Sequence, residues 1–495
     1  MWHRIIIVSI FCLCIINASA DNYFVYFHDK SGTCDISCPE TFLSQRAIER
    51  RTRQNIPLDS TDLPVSPLYL DSLRQLGAQI LHCSKWINGA TIETDSVTSR
   101  IIRQLDFVDS VQITKSATDS VSNAPRMKMP LRVPNLEYGY ARRQIEMLNL
   151  HKLHTAGFCG KNMLVAVVDN GFLNADHIDA LAQIRPNIVD TFSFVKGYGT
   201  IYQDGSHGTY VLSIIGASLF KQFQGAATET SFALIRSEDN ETETMLEVDN
   251  QVAAFERADS IGADIINSSL GYYIFDDTTS NFTYADLDGR TARNSIAATM
   301  AARKGMVVCI AAGNEGSSAW HFIDTPADAD SILCVGSVDS LRLHSYFSSY
   351  GPASDGRIKP DICTMGEYSY VISSSGQTSR GSGTSFASPL AAGMVACLWS
   401  ALPQLTNMEI IELIKQHSSN ASFPDCSIGY GIPDAWECYL SVATDIDNSH
   451  INDNSFSDRP VLYFDILGRR LHQLPPDAVI IRRLPAPDHA IILYR

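Results

Sequence analysis

Cationic side chains are scarce in this 495-residue chain, which has 38 lysines and arginines against 54 aspartates and glutamates. The formal net charge is therefore −16 at neutral pH. Binding to nucleic acid requires a basic surface, so this balance argues against a nucleic-acid partner. Hydrophobic residues make up 45% and charged residues 19%, which is ordinary globular usage and excludes a largely disordered or fibrous chain.

Long hydrophobic runs are also lacking. The one pronounced run covers residues 5–16, follows the basic pair His3-Arg4 and precedes Ala18-Ser-Ala20. Such a run is well short of the ~20 residues needed to cross a bilayer, so the chain is not expected to span a membrane. The pattern predicts a cleaved signal peptide over residues 1–20 and a protein that is secreted, periplasmic or on the cell surface.

Metal-binding spacings are lacking as well. The pair Cys34 and Cys38 has no second Cys/His pair at zinc-finger spacing. The acidic segment 238–249 suits cationic substrate residues or a structural calcium ion, but a solvated loop and first helical turn explain it more simply. It has no regular spacing of oxygen ligands, so we predict no metal ligand and no required cofactor. Local disulfides, Cys34 with Cys38 or Cys426 with Cys438, stay open because spacing does not fix pairing.

Composition and pattern divide the chain after the signal peptide into five segments. Residues 21–114 alternate strand and helix signals and predict a small α/β domain. Residues 115–140 are polar and punctuated by proline, which predicts an exposed linker where proteolysis concentrates. The large domain is predicted over 141–442. A second polar linker at 443–458 precedes a short β-rich tail at 459–495.

The strand pattern also predicts the fold of both domains. In the large domain, apolar strands alternate with helical stretches, which indicates a mainly parallel sheet flanked by helices. In such sheets, ligands bind where strands end and helices begin. We predict strands in the small domain at residues 23–27, 79–83, 90–94 and 109–114, and in the large domain at 163–168, 232–235, 263–266, 306–311 and 332–338.

Three polar residues of catalytic type fall at such positions. Asp169 ends an apolar strand, His207 opens an apolar helix, and Ser385 stands in Gly-Thr-Ser-Phe-Ala-Ser-Pro before another helix. Taken singly, each is explained as a turn or capping residue. Taken together they supply a nucleophile, a base that removes its proton, and a carboxylate that orients the base. The combination predicts acyl transfer.

The chain order Asp169, His207, Ser385 is the order found in subtilisin, and differs from that of chymotrypsin and of α/β-hydrolases. With the blocks Val-Val-Asp-Asn-Gly, His-Gly-Thr and Gly-Thr-Ser-Phe-Ala-Ser-Pro, residues 141–440 resemble the subtilisin-like serine peptidases, the subtilases. The resemblance implies the family's three-layer α/β fold. It also implies endopeptidase activity through an acyl-enzyme on Ser385, with His207 as general base and acid and Asp169 orienting it.

Further roles follow from the same resemblance. The block Ala-Ala-Gly-Asn314 resembles the family segment whose asparagine, with the Ser385 N–H, donates to the oxyanion. The segment Asn-Ser-Ser-Leu-Gly resembles the family's substrate-pairing strand, so protein or peptide substrates are expected to bind by strand addition. Tyr272, where many subtilases have a second glycine, leaves primary specificity open. The predicted substrate-binding residues are Ser269, Leu270, Gly271, Ala312 and Gly313.

The flanking segments have two interpretations each. Residues 21–114 resemble a subtilase propeptide, which implies an intramolecular inhibitor removed by cleavage between residues 115 and 145; a permanent binding module is the alternative. In the tail, Asp465-Ile-Leu-Gly-Arg469 resembles the start of sorting domains of the type IX secretion route, and a structural β cap is the alternative. For the whole chain, the alternative function is a subtilase-shaped, catalytically silent or propeptide-locked peptide-binding protein.

Overall fold

The computed structural model describes residues 20–116, 138–197 and 199–451, together with four short strands between residues 463 and 494. It divides into two compact units, Met1–Tyr439 and Leu440–Arg495, which are described separately. The predicted signal peptide and most of the first predicted linker lie outside the described residues.

The first unit opens with a small lobe, residues 20–116, built on an antiparallel four-stranded sheet in the order β2-β3-β1-β4. Alternation in β1 buries Tyr23, Val25 and Phe27 in the lobe's core. The side chains of Ser44, Ser66 and Asp95 cap the three helices. Each predicted strand agrees within two residues. The elements are β1 Asp21–Phe27, α1 Gln45–Arg53, α2 Pro67–Gln75, β2 Gln79–Ser84, β3 Gly89–Thr94, α3 Ser96–Ile102 and β4 Val108–Lys115.

The rest of the first unit surrounds a seven-stranded sheet in the order β13-β12-β11-β10-β5-β9-β6, in which all neighbouring strands pair in parallel. The predicted mainly parallel sheet is confirmed. Two further hairpins pair β7 with β8 and β14 with β15. The strands are β5 Leu164–Asp169, β6 Ile188–Ser193, β7 Ser218–Leu219, β8 Phe223–Gln224, β9 Ser231–Arg236, β10 Ile265–Ser268, β11 Val307–Ala311, β12 Leu333–Val338, β13 Ile362–Met365, β14 Ser369–Ile372 and β15 Thr378–Gly381.

Helices cover this sheet. Among them, α6, α7, α8 and α9 contact its strands, and the short α4 and α5 precede the first strand of the sheet. The helices are α4 Arg142–Met147, α5 Leu150–Thr155, α6 His207–Gly216, α7 Met245–Ile261, α8 Arg293–Arg303, α9 Thr384–Ala401, α10 Asn407–Gln416 and α11 Ala435–Ile451. Short 3-10 helices occur at Pro39–Thr41, Asp179–Leu181, Arg185–Asn187, Thr278–Ser280 and Tyr284–Asp286.

Side-chain alternation along the central strand β5 divides its contacts between the two faces. Leu164, Ala166 and Val168 belong to the core cluster that includes residues of α7 and α8. The intervening side chains, which end with Asp169, point to the opposite face, where α6 and α9 pack against the strand. The strand pattern therefore directs Asp169 toward the beginning of α6.

One helix among the described residues, α9, is long and apolar enough by composition to cross a membrane. However, 83% of its apolar window is buried inside the protein. A helix that is apolar on all sides and covered by other elements is typical of the centre of a large domain. It contacts β10, β11, β12 and β13, and the sheet therefore accounts for its composition.

The second unit contains a small four-stranded sheet in the order β17-β16-β19-β18, formed by β16 Tyr463–Phe464, β17 Arg470–Leu471, β18 Val479–Arg482 and β19 Ile491–Tyr494. Strands β16 and β19 pair in parallel, and the other pairs are antiparallel. The segment predicted as a β-rich tail contains these four strands. The motif at 465–469 lies outside the described residues. The prediction of a linker at 443–458 is wrong for its first part, because α11 continues to Ile451.

Candidate active site

Asp169 is the last residue of β5, the central strand, and its side chain is fully buried. The Nδ1 atom of His207 lies 2.8 Å from its Oδ1, which also accepts the main-chain N–H of Asn170 at 2.9 Å. A buried carboxylate requires such partners because it has lost its hydration. The predicted pairing of these two residues is therefore present in the folded chain.

His207 is the first residue of α6, and two close contacts bring the start of this helix onto β5. A Cβ added to Gly208 would lie 2.3 Å from the main-chain oxygen of Gly171 and 2.9 Å from the Asp169 Cβ. Only glycine permits that approach. The hydroxyl of Thr209 donates to the main-chain oxygen of Leu173 at 2.9 Å and fixes the first turn. Because Nδ1 faces a carboxylate, it carries the proton and leaves Nε2 as the basic nitrogen.

Ser385 lies in the first turn of α9 and is buried, with 9% of its surface exposed. Its hydroxyl donates to the main-chain oxygen of Ser269 at 3.3 Å. The imidazole of His207 lies beside this turn, with its ring centre 6.0 Å from that of Phe386. The first turn of α9 therefore brings Ser385 to the same edge of the sheet as the Asp169–His207 pair.

Asn314 follows β11, which is two strands away from β5 in the sheet. Its Oδ1 accepts the main-chain N–H of Thr384 at 2.9 Å and the Thr384 hydroxyl at 3.2 Å. A main-chain N–H only donates, so the atom facing it is the carboxamide oxygen. The NH₂ group of Asn314 therefore points away from Thr384, with its protons available to another acceptor.

The predicted substrate-binding residues also lie together. Ser269, Leu270 and Gly271 follow β10, while Ala312 and Gly313 follow the neighbouring parallel strand β11. The side chain of Leu270 belongs to a small apolar cluster with Met245, Val248, Tyr272 and Phe275. This packing buries the Leu270 side chain, whereas Gly271, the next residue, is exposed.

Sequence reasoning missed Asp324, a buried carboxyl beside these segments. A Cβ added to Gly271 would lie 2.9 Å from the Asp324 Cβ, and a Cβ added to Gly313 would lie 2.3 Å from its Oδ2. The main-chain N–H of Asp324 donates to the Ala312 oxygen at 3.2 Å. In the sequence, Asp-Thr-Pro reads as a turn, and only the meeting of two strand ends reveals the proximity.

The acidic segment after β9 has two parts. Glu247, in the first turn of α7, forms a capping box with Thr244, which agrees with the simpler interpretation of this segment. Glu238 and Glu243 are half-buried near the site. Burial raises the pKa of Glu238 to about 8, with the Asp169 charge adding to it. Burial also raises the pKa of Glu243 to about 9, with Glu238 adding to it.

The structure also bears on metal ligands and on disulfides. Among residues 20–116, 138–197 and 199–451, no group of three or more His, Cys, Asp and Glu side chains is arranged to hold a metal ion. No disulfide joins the cysteines of the described ranges. Cys34 and Cys38 are exposed, whereas the thiol of Cys438 donates to the main-chain oxygen of Leu413 at 3.6 Å.

The small lobe packs against the helices that cover one face of the sheet. Asp259 of α7 is fully buried and accepts hydrogen bonds from Arg50, Arg51 and Lys85 of the lobe. Burial raises the pKa of Asp259, but these three cations outweigh burial and hold the pKa below its ordinary value. The charges of this interface are therefore paired.

The sheet, its strand-end residues and the carboxylate–imidazole pair define an α/β protein arranged like a serine hydrolase. The family model of the subtilase family, peptidase S8, matches residues 160–432, and the chain belongs to this family. The S8 propeptide domain of Bacteroidota matches residues 22–128, so the small lobe is a propeptide domain. The predicted family, fold class and serine endopeptidase activity are confirmed. The resemblance of the tail stays a prediction.

Sequence relatives and a solved structure support this assignment. Subtilisin of Bacillus pumilus is 30% identical over 289 residues, which cover 58% of this chain and 94% of the relative. Subtilisin E of Bacillus subtilis strain 168 is 28% identical over 364 residues, which cover 73% and 82%. The structure of MycP3 protease from the type VII (ESX-3) secretion system superposes with a TM-score of 0.50 at 21% identity, covers 63% of this chain and 93% of that one, and supports the fold alone.

Proposed function

We propose that this chain is an exported endopeptidase that hydrolyses peptide bonds through an acyl-enzyme on Ser385. His207 acts as general base and then as general acid, and Asp169 orients it. Asn314 and the main-chain N–H of Ser385 form the oxyanion hole. Proton transfer and charge stabilisation are assigned to the chain's own groups, so no cofactor takes part in the proposal.

The contact between His207 Nδ1 and Asp169 Oδ1, at 2.8 Å, carries this proposal. Asp169 is fully buried, and the imidazole is 16% exposed, so water competes little for either group. The carboxylate fixes the proton on Nδ1 and stabilises the imidazolium that forms when Nε2 accepts a second proton. A solvent-exposed pair would orient the imidazole far less strictly.

The reaction follows from these roles. The Ser385 oxygen attacks the scissile carbonyl as its proton passes to His207 Nε2, and the carbonyl oxygen becomes an oxyanion. The NH₂ group of Asn314 donates to that oxyanion. Collapse of the intermediate breaks the C–N bond, and His207 returns the proton to the leaving amine. Water then attacks the ester with His207 as base, which releases the acid and restores Ser385.

Protein and peptide substrates suit the segments that follow β10 and β11. Gly271, at the end of the segment after β10, is exposed, and an extended peptide would pair with the main chain of this segment by strand addition. Side-chain contacts would then set the preference, and the Ser269–Gly271 segment carries the main-chain contacts.

The propeptide domain is proposed to be an intramolecular inhibitor. Lys115, the last residue of β4, donates through its ammonium to the Thr242 hydroxyl at 2.8 Å, in the acidic segment beside the site. The chain leaves the lobe at this point. Cleavage within residues 115–145 would separate the domain from the enzyme, and cleavage after residue 20 would accompany export.

Covalent labelling tests the proposal. Processed protein treated with a fluorophosphonate should carry one phosphonyl group on Ser385, detectable by peptide mass spectrometry, and Ser385→Ala should carry none. Ser382→Ala changes a nearby serine on the same segment and should keep the label. N-terminal sequencing of the processed form should give a start between residues 116 and 146.

The silent or locked binding protein makes the opposite prediction. Processed, folded protein that binds peptide but shows no label at Ser385 and no peptide cleavage would contradict the enzyme. An active form that begins at Asp21 would contradict the propeptide role and leave the catalytic assignment standing.

A further inference from the structure

Asp324 lies where the two proposed substrate segments meet. Its main-chain N–H donates a hydrogen bond to the main-chain oxygen of Ala312. The next residue, Thr325, forms two main-chain hydrogen bonds with Tyr272, at 2.9 and 3.1 Å. The side chain of Asp324 therefore occupies the space beneath Gly271 and Gly313. Larger residues at either glycine would displace the carboxyl group.

Asp324 carries a buried oxygen without a hydrogen-bond partner, a feature that, among the buried aspartates of the described residues, only the Oδ2 of Asp169 shares. Eight aspartates of the described residues are buried, and seven of them accept hydrogen bonds from cationic side chains, histidine, hydroxyl groups or main-chain N–H groups. The Oδ1 atom of Asp324 is buried without a hydrogen-bond partner, and no cation of the described residues forms an ion pair with this carboxyl. Buried polar atoms normally have partners, so an unpartnered one points to a ligand that completes it. The seven paired residues are Asp62, Asp169, Asp249, Asp259, Asp264, Asp328 and Asp361.

The surroundings of Asp324 suit a cation. The charge of Glu315 acts on Asp324, and Asp324 in turn acts on Glu243, so several carboxyl groups share this region. The indole N–H of Trp320 donates to the main-chain oxygen of Ile323, the residue before Asp324, at 3.2 Å, and the indole stacks on Tyr273 with ring centres 4.6 Å apart. Aromatic faces and carboxylates together bind ammonium and guanidinium groups.

We propose that Asp324 forms the floor of the pocket for the substrate side chain immediately before the scissile bond and selects arginine or lysine there. The inference rests on the proposed function, because Asn314 follows Gly313 and puts the reacting carbonyl next to this pocket. A substrate cation would donate to the unpartnered oxygen, which a neutral aliphatic side chain cannot do.

The electrostatics of Asp324 agree with this role. Burial raises the pKa of Asp324 well above its usual value, and the charge of Glu315 adds to the effect. A bound cation acts in the opposite direction and stabilises the carboxylate. A neutral substrate side chain would leave the Asp324 carboxyl buried without a charge that stabilises its ionised form.

Peptides that differ at one residue test the proposal. Processed enzyme from the full chain is assayed with fluorogenic peptides that carry arginine or its neutral isostere citrulline, and lysine or norleucine, before the cleaved bond. We expect kcat/KM for each cationic peptide to exceed that of its neutral partner on the order of 100-fold. Asp324→Asn should reduce each ratio to about 3-fold or less, and Asp330→Asn, an exposed control nearby, should retain it.

The outcomes separate this inference from the proposed function. Fluorophosphonate labelling of Ser385 in Asp324→Asn verifies an intact site in that variant. Labelled wild-type enzyme that cleaves citrulline as well as arginine overturns the pocket assignment alone, as does a preference that survives in Asp324→Asn. Wild-type enzyme that is not labelled at all overturns the proposed function, and the inference with it. If Asp324→Asn does not fold, the wild-type ratios decide.

Discussion

The hydroxyl of Ser269 donates to the main-chain oxygen of Ser385 at 3.0 Å, while the Ser385 hydroxyl donates to the main-chain oxygen of Ser269. The first contact compensates for a missing helical hydrogen bond. In α9, the oxygen of Ser385 would accept from the N–H of residue 389, but Pro389 has none. A side chain after β10 thus completes the turn that carries the proposed nucleophile.

Ser269→Ala should therefore destabilise the fold and reduce activity together. The buried oxygen of Ser385 would lose its donor, which costs about 1–3 kcal/mol of unfolding free energy. Pro389→Ala restores an N–H at the right position, so the double variant should recover part of both losses. Denaturant unfolding and kcat/KM measured on the two single variants and the double variant would check this coupling. Additive losses would contradict it.

Asn314→Ala should lower kcat about 10²- to 10³-fold and leave KM nearly unchanged. The lost NH₂ group acts only on charge that develops in the transition state, and this magnitude was measured for such a donor in subtilisin, a relative. Steady-state kinetics on a peptide substrate separate the two constants. A change in KM alone would assign Asn314 to substrate binding instead.

Thr384→Val tests how Asn314 is held. The hydroxyl of Thr384 contacts the Asn314 Oδ1 and both main-chain polar groups of Gly313, whereas the Thr384 N–H remains in the variant. A positioning residue should therefore lower kcat by about 10-fold, less than loss of the donor itself. Because Thr384 is expected to act only through Asn314, adding Thr384→Val to Asn314→Ala should change kcat little. A further tenfold fall in the double variant would show that Thr384 acts independently.

The sequence predicted those parts of the site that depend on strand ends. Asp169 ends an apolar strand, and His207 and Ser385 lie at the beginnings of apolar helices, so local pattern and motif pointed to them. Asp324 and the Ser269–Ser385 contacts depend on how separate strand ends meet, which local pattern does not contain. The strands β6 and β13 were missed for a similar reason. β6 is a half-exposed edge strand, and β13 is a short strand at the other edge that follows Pro360-Asp361 and includes Thr364, so neither gives a long apolar run.

Asp259→Asn should weaken the association of the propeptide domain with α7. The variant leaves Arg50, Arg51 and Lys85 in a buried interface without their shared carboxylate, and breaking a buried pair on one side costs about 3–5 kcal/mol. The measurement is the unfolding free energy of unprocessed chain carrying Ser385→Ala. Asp71→Asn removes an exposed pair with Arg74 in the same domain and should cost less than about 1 kcal/mol. Equal effects of the two variants would contradict a structural role for the buried cluster.

The preference for a cationic residue should depend on pH through Asp324. Burial raises the pKa of this carboxyl, so in the empty pocket it stays protonated to higher pH than an ordinary aspartate. Arginine binds the carboxylate and must displace the proton, while citrulline gains little from ionisation. The ratio of kcat/KM for arginine over citrulline should therefore rise with pH, above the range in which an ordinary aspartate titrates. Because both peptides use His207, its titration cancels in the ratio.

Glu315, Glu243, Tyr273 and the indole of Trp320 are the other groups of the described residues that interact with Asp324, and the charge of Glu315 raises the pKa of Asp324. Glu315→Gln should consequently shift the rise in the ratio to lower pH, since removal of a neighbouring negative charge lowers the pKa of Asp324. Asp324→Asn should give a ratio that is low at every pH. A ratio that stays high and flat in the wild-type enzyme would mean that the carboxyl is ionised throughout, and would contradict the role of burial in setting this preference.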